Sequence, residues 1–223
     1  GAENFENIEG TLYRTTNTGD TIIGDSNNNS IFGLTGADIL YGRDGDDIIY
    51  AETVVSYDSG RVYEASENNY DDKLYGEGGD DILVGNAGDN TLDGGTGADT
   101  ITTGSGSDTV ILRAGDGGTE LTDADIITDF TDGVDVLGLD NNLLYTELTR
   151  AQGTGSYAND TIISITDTAE NLAILKGISA SDVNYLDFAS MSTGNQNFTG
   201  TIGDDVFIGA AGVDTVTTNI GTD

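Results

Sequence analysis

Aspartate returns in this chain at fixed intervals. In GEGGDDILVGNAGDNTLDGGTGADTITTGSGSDTVIL (76–112), Asp81, Asp99 and Asp108 stand nine or eighteen residues apart, with Asn90 filling the gap in the series. A carboxylate can move protons, attack as a nucleophile or ligate a cation. The first two roles need partners that this chain lacks. It contains no His and no Cys, which excludes imidazole acid–base chemistry, Ser-His triads and thiol nucleophiles. Two carboxylates alone can run a glycosidase, but here nearly every clustered aspartate already has a repeat position that explains it. Cation binding needs only what the stretch offers in quantity: carboxylate oxygens next to turn carbonyls. An all-oxygen cage suits a hard ion, and flexible six-to-eight-fold coordination favours Ca²⁺ over Mg²⁺.

The charge balance agrees. Forty acidic residues face seven basic ones, for a net charge of -33 over 223 residues. A nucleic-acid backbone or an anionic membrane needs a basic surface, so both are excluded as electrostatic partners and cations are favoured. No Walker A sequence occurs. The nearest EF-hand look-alike, DSNNNS from Asp25, has Ser30 where that loop needs Gly and Gly36 where it needs Glu. Without Cys there are no disulfides, which fits the cytosol or a secreted protein stabilised by other means. Without Pro, no residue lacks the N–H that strand ladders require. No signal peptide and no apolar run of spanning length is present.

An acidic, glycine-rich chain is often disordered, so periodicity has to decide. Cut into nines, the stretch reads GEGGDDILV, GNAGDNTLD, GGTGADTIT and TGSGSDTVI. ENNYDDKLY precedes it in frame, and from residue 15 the units TTNTGDTII, GDSNNNSIF, GLTGADILY and GRDGDDIIY fit as well. Position six holds Asp20, Asn29, Asp38, Asp47, Asp72, Asp81, Asn90, Asp99 and Asp108; position eight is always Ile, Leu or Val. Nine apolar hits in nine units arise by chance with a probability of about 10⁻⁴. The frame then loosens: ELTDADIIT carries Asp125 and FTDGVDVLG carries Asp135 at position six. It restarts with Asp205 in GTIGDDVFI and Asp214 in GAAGVDTVT.

These units specify a solenoid. Five or six residues rich in Gly, Asn and Asp turn, and about three form a strand whose position-eight side chain points inward while positions seven and nine, often Thr, face solvent. One unit buries nothing alone; stacked units bury an apolar column. With two units per coil, units two apart stack about 4.8 Å apart as parallel strands. The position-six carboxylates stack with them, repelling by about 1 kcal/mol in water and several at lower dielectric. A cation between coils relieves this. One column then runs Asp20, Asp38, Asp72, Asn90, Asp108, Asp135 and the other Asn29, Asp47, Asp81, Asp99, Asp125, provided that residues 51–66 and 112–119 loop out. Position-five acids such as Asp80 point the other way and are expected to be solvated surface.

GGTGADTIT (94–102) matches G-G-x-G-x-D-x-U-x at every defined place, and the tandem array resembles the RTX, or haemolysin-type calcium-binding, family. That resemblance implies an all-β fold, a right-handed parallel β-roll, several Ca²⁺ ions held by the position-six residues (including Asp205 and Asp214), type I secretion and folding on extracellular calcium. Asn29 and Asn90 depart from Asp, and Thr18 and Tyr70 from Gly.

Residues 1–188 read as one module: a roll over about 10–138, a hairpin-like insertion at 51–66 in which VVSY and RVYE flank Asp58-Ser59-Gly60, and a capping segment at 139–188. DIITDFTDGVDVLGL (125–139), DTIISI (160–165) and ENLAILKGIS (170–179) resemble the segments that end rolls in serralysin-type proteases and alginate epimerase modules. Residues 189–199 read as a linker and 200–223 as the start of a second array, cut off at Asp223, so the sequence reads as a fragment. The expected function is non-enzymatic: a calcium-binding structural or spacer unit of a large secreted or cell-surface protein such as an adhesin. A calcium-dependent module for carbohydrate or surface partners, and an accessory module of an exoenzyme, remain alternatives. Oligomeric state is not legible.

Overall fold

The computed structural model describes residues 12–14, 19–51, 69–191, 197–199 and 215–217. Its strands fall where the nine-residue frame places them. Position eight is buried in every described unit, from Ile22 (6 % exposed) through Ile31, Leu40, Ile49, Leu74, Leu83, Leu92, Ile101 and Val110, all at 0 %. Position four turns the chain. Gly36, Gly45, Gly79, Gly88, Gly97 and Gly106 have φ between +109° and +141°, which side chains resist. Position two is also left-handed, in Leu34, Arg43, Glu77 and Asn86 as well as in Gly95 and Gly104.

Alternate units feed two sheets. The nine-stranded sheet runs Leu12–Arg14, Ser30–Phe32, Ile48–Tyr50, Ile82–Val84, Thr100–Thr102, Asp125–Ile127, then Asn171–Leu175, Thr161–Ile165 and Leu148–Gln152. The seven-stranded sheet runs Thr21–Ile23, Ile39–Asp44, Lys73–Gly78, Thr91–Thr96, Thr109–Leu112, Val136–Leu139 and Phe188–Ser190. Within the repeats all pairings are parallel and keep position eight over position eight: Ile31 with Ile49, Ile49 with Leu83, Leu83 with Ile101, and Ile22 with Leu40, Leu40 with Leu74, Leu74 with Leu92. Both sheets turn these residues into one apolar core. Regular structure among the described residues is otherwise limited to short 3₁₀ turns, so the protein is all-β. No helix among them is long and apolar enough to cross a membrane.

The partner eighteen residues on becomes thirty-four on between Asp38 and Asp72 and between Asp47 and Asp81. The coil therefore closes across the interruption as if it were absent. Of that insertion only Ala51 is described, and it is buried; residues 52–66 lie outside the described residues.

Residues 139–190 join the roll by continuing both sheets. Asn171–Leu175 adds in parallel to Asp125–Ile127, an antiparallel pair follows it, and Phe188–Ser190 adds in parallel to Val136–Leu139. Leu148, Ile163, Leu172, Leu175, Val183 and Phe188 extend the same core. Two details differ from the sequence expectation. Ala189 and Ser190, read as the start of a linker, are strand residues. Asn197–Thr199, also within that span, pairs in parallel with Thr215–Thr217 at an offset of eighteen, so one-coil stacking begins before residue 200. A polar composition hides this, because only Gly194 and Phe198 occupy the frame's expected places.

Positions seven and nine face outward in most units, although Asp93 and Ile111 at position nine are buried, and they are less polar than the Thr-rich units suggest. Phe32 stacks on Tyr50 (ring centroids 5.4 Å apart) and Tyr41 on Tyr75 (4.8 Å), one coil apart, as cross-strand neighbours of the same type should.

Leu83 is fully buried between Ile49 and Ile101. Leu83→Ala should lower the stability of the calcium-saturated protein by about 2–5 kcal/mol, measured by urea unfolding. A loss below about 1 kcal/mol would show that the position-eight column is not the core.

Candidate calcium-binding ladder

Each position-six side chain reaches back to the coil before it. The backbone N–H of Asp20 donates to Asp38 Oδ1 (2.7 Å), that of Asp38 to Asp72 Oδ1 (2.6 Å), that of Asp72 to Asn90 Oδ1 (2.9 Å), that of Asn90 to Asp108 Oδ1 (2.8 Å) and that of Asp108 to Asp135 Oδ1 (3.0 Å). On the other edge the N–H of Asn29 donates to Asp47 Oδ1 (2.6 Å), that of Asp47 to Asp81 Oδ1 (2.6 Å), that of Asp81 to Asp99 Oδ1 (2.8 Å) and that of Asp99 to Asp125 Oδ1 (3.0 Å). The structure thus brings Asp20, Asn29, Asp38, Asp47, Asp72, Asp81, Asn90, Asp99, Asp108, Asp125 and Asp135 into the two columns expected from stacking. Asp205 and Asp214 lie outside the described residues.

The second carboxylate oxygen carries the chemistry. Oδ2 of Asp47, Asp72, Asp81, Asp99 and Asp108 is buried and has no hydrogen-bond donor. These side chains are 0–1 % exposed. A buried, unpaired anionic oxygen is among the costliest arrangements a protein can hold. In three turns the oxygen also fills the space beside the position-one glycine: a Cβ on Gly42, Gly76 or Gly94 would lie 2.1 Å from Oδ2 of Asp47, Asp81 or Asp99. Position one is therefore Gly so that the carboxylate can sit against the backbone, whatever its φ.

Burial accordingly pushes these carboxyls up, Asp81 and Asp108 to about 7 and Asp47 and Asp72 to about 6. Asp99 and Asp125 are raised by burial and, for Asp125, by the Asp99 charge beside it. The ion pairs among the described residues leave this strain in place. Arg113 pairs with Asp93, Asp116 (3.2 Å) and Asp140 (3.6 Å), and Lys176 with Asp160 (2.6 Å); none of these acids is at position six. Nor do three or more acidic side chains among the described residues form a cluster that could hold a metal ion by themselves. A cation here would draw on one or two carboxylates and on main-chain oxygens, a donor set suited to Ca²⁺. The orphaned oxygens fit that ion.

The repeat model for the RTX calcium-binding nonapeptide matches residues 15–53, 68–92, 84–117 and 192–223, more than half of the chain. The chain belongs to the RTX calcium-binding repeat family. Its repeats bind Ca²⁺ at several positions. Among solved structures, the extracellular lipase LipA from Serratia marcescens is similar over 78 % of this chain and 40 % of its own length, at 16 % identity and a TM-score of 0.39. The AlgE6R3 subunit of the Azotobacter vinelandii mannuronan C5-epimerase is similar over 85 % of this chain and 84 % of its own, at 19 % identity and a TM-score of 0.32. This RTX chain thus spans well under half of the lipase. No curated protein sequence matches it.

Three features of the RTX ladder were not read from the sequence. Position-five acids are exposed but structural. Asp46 Oδ1 accepts from Asp80 N (3.2 Å), Asp80 Oδ1 from Ala98 N (2.9 Å), Asp71 Oδ1 from Asp89 N (2.9 Å) and Asp89 Oδ1 from Ser107 N (2.8 Å). These bonds run from each coil to the next, opposite to the position-six set; alternation along a strand could not reveal them because position five lies in the turn. Second, Asp135 differs from the other position-six carboxylates. Its Oδ2 already accepts from Thr131 N (2.8 Å) and Thr103 Oγ1 (3.4 Å). Third, Asp129, which falls between repeat units, takes the N–H groups of Thr103 (2.8 Å) and Gly104 (3.0 Å). The only sequence signal for this closure is Thr103 in place of Gly at position one.

The raised carboxyls set the pH dependence of the calcium-free protein. An unfolded Asp titrates near 3.9, so between that value and about 7 the folded array holds more protons than the unfolded chain. Stability then falls as pH rises. It is fully present below about pH 4 and lost as pH passes 6 to 7. In calcium-free buffer, circular dichroism should show β-structure gained on acidification from pH 7.5 to 4, with a smaller change for the Asp81→Asn, Asp108→Asn double variant. Equal pH responses in the two proteins would rule out these carboxyls as the source.

Proposed function

We propose that this RTX chain is a calcium-dependent folding and spacer module of a larger secreted or cell-surface protein. The observation that carries this is the set of buried, donorless Oδ2 atoms in register along two columns. The polypeptide supplies every part of the ladder except the positive charge. At a net charge of -33, the compact state opposes itself until cations bind. Extracellular calcium reaches millimolar levels, the range in which weak extracellular calcium modules operate, so one sequence remains extended where calcium is scarce and folds where it is abundant.

The right-handed winding expected for parallel crossovers, export before folding, and the assignment of each position-six residue as a ligand belong to this proposal. So does the division into an array over about 10–138, a terminating segment to about 190 and a further array beyond it. The proposal gives the chain no catalytic role: its ladder aspartates are committed to backbone N–H groups and ions, and no His or Cys is available.

Ligands that bind only the folded state stabilise it by RT ln(1 + [L]/Kd) per site. Far-ultraviolet circular dichroism at pH 7.5 should therefore show a largely unfolded chain in excess EGTA and a β-rich one in millimolar Ca²⁺, with Mg²⁺ a poor substitute at the same concentration. An unchanged folded spectrum in EGTA would refute calcium-dependent folding.

A further inference from the structure

Two units of the array carry Asn at position six, and the Asn90 unit shows what that change does. Asn90 keeps the first contact of the column: its Oδ1 accepts from Asp72 N at 2.9 Å. That donor fixes which end of the amide is oxygen. The other end occupies the place of the orphaned carboxylate oxygen. Nδ2 lies 3.0 Å from where a Cβ on Gly85 would stand, as Oδ2 of Asp47, Asp81 and Asp99 lies against Gly42, Gly76 and Gly94. Nδ2, however, is a donor. It gives one hydrogen to Gly85 O (3.2 Å) and one to Gly88 O (3.2 Å), the carbonyls of positions one and four of its own turn. Both amide hydrogens are used, and Asn90 is 1 % exposed.

Asn29 shares only part of this pattern: its Oδ1, not its Nδ2, lies against the position-one glycine, 2.1 Å from where a Cβ on Gly24 would stand, and accepts from Asp25 N (2.8 Å). Its Nδ2 donates to Asn27 O (2.6 Å), the position-four carbonyl of that turn, and to Asp25 Oδ1 (3.2 Å). The same carbonyl is therefore neutralised by side-chain N–H in both Asn turns. In the Asp turns the corresponding atom is an acceptor with no donor.

We propose that the Asn90 amide takes the place of a calcium ion, so that this turn is complete without one, and that Asn90→Asp converts it into an additional calcium site. A buried amide nitrogen carries partial positive charge and two fixed donors, which satisfy the oxygens that an ion would otherwise bridge. A cation entering this turn would meet N–H groups and would have to break both bonds. Replacing Nδ2 by oxygen leaves three acceptors facing one another with no proton between them, the condition that the Asp turns meet with an ion. The Asn positions thus lower the number of ions needed to complete the ladder, and they lie one on each edge, Asn29 in one column and Asn90 in the other.

This inference rests on the reading that position-six carboxylates hold calcium, and the test separates the two. Ions bound per chain at saturating Ca²⁺, counted by calorimetry and by equilibrium dialysis, should rise by one in Asn90→Asp, fall by one in Asp81→Asn, and return to the wild-type number in the double variant. Asn90→Asp should also need more Ca²⁺ to fold. An unchanged count in Asn90→Asp, with one ion lost in Asp81→Asn, overturns the proposal and leaves position-six ligation standing. Unchanged counts in both overturn both. Asn90→Asp that stays unfolded at saturating Ca²⁺ also counts against the proposal, because the ion then fails to complete the turn; Asn29→Asp supplies the second variant, with the same expected gain of one. A calcium-loaded crystal structure of the unsubstituted chain reads the same point directly. An ion within about 2.6 Å of Gly88 O would overturn it.

Discussion

Parallel stacking at one fixed offset is the constraint from which the rest follows. Once a coil lies over its neighbour in register, whatever occupies a position is repeated about 4.8 Å away. An apolar side chain gains from this repetition, and an ionised one is penalised by it. At position six the backbone N–H of one coil needs an acceptor, and the carboxylate of the next supplies it, as Asp99 does for Asp81. Only one of its two oxygens is used. The other is carried into the interior with a charge that the chain does not neutralise. Two such charges about 4.8 Å apart repel by roughly 3 to 4 kcal/mol at an effective dielectric near 20. Coil geometry therefore creates the anionic column, and with it the need for a counter-charge.

The other repeat positions serve that geometry. Position one is Gly where the carboxylate presses on the backbone, and position four is Gly where φ exceeds +100°. Position two tolerates Leu34, Arg43, Glu77 and Asn86 in a left-handed conformation that costs such residues roughly 1 kcal/mol each; this explains why the two adjacent glycines of GGTGADTIT are the least strained form of the turn. Position-five carboxylates accept N–H groups of the following coil, while position-six carboxylates accept those of the preceding one. Turns with an acid at position five, such as those of Asp46, Asp71, Asp80 and Asp89, are thus held from both sides, by a buried bond and an exposed one.

The columns, the position-eight core and the closure of the roll across residues 51–66 were legible because a solenoid maps sequence offset directly onto space. Asp38 over Asp72 needs no more information than the frame. What stayed hidden depends on contacts outside that mapping. The position-five ladder lies in a turn, where the two-residue alternation of strands does not apply. Asp129 falls between frames and finds Thr103 only through the fold. Arg113 collects Asp93, Asp116 and Asp140 from three separate segments. The terminating segment was legible as strand-rich, but its exchange of parallel for antiparallel pairing between Asn171–Leu175 and Thr161–Ile165 follows from tertiary packing that no nine-residue pattern encodes. Asn197–Thr199 escaped because a polar run with one Gly and one Phe carries too few repeat marks.

Beyond the array, the same kind of residue is stabilised in a different way. Asp160 is buried, and it accepts from Lys176 Nζ (2.6 Å) and Gly177 N (2.9 Å). Asp187 is 1 % exposed, and it accepts from Gly133 N (3.2 Å) and Asn184 N (2.7 Å). Glu170 Oε1 takes the N–H groups of Gly115 (2.7 Å) and Gly117 (3.3 Å). Each of these carboxylates is matched by donors that the chain itself provides. Asp135 stands at the boundary between the two regimes: one oxygen serves the column through Asp108 N, and the other is closed by Thr131 and Thr103. On that edge the column ends where protein donors close the second carboxylate oxygen. Asn90 brings the same solution into the array itself: beside its position-one glycine lies an N–H where the Asp47, Asp81 and Asp99 turns place an oxygen, and by the proposal above that difference decides whether the turn needs an ion.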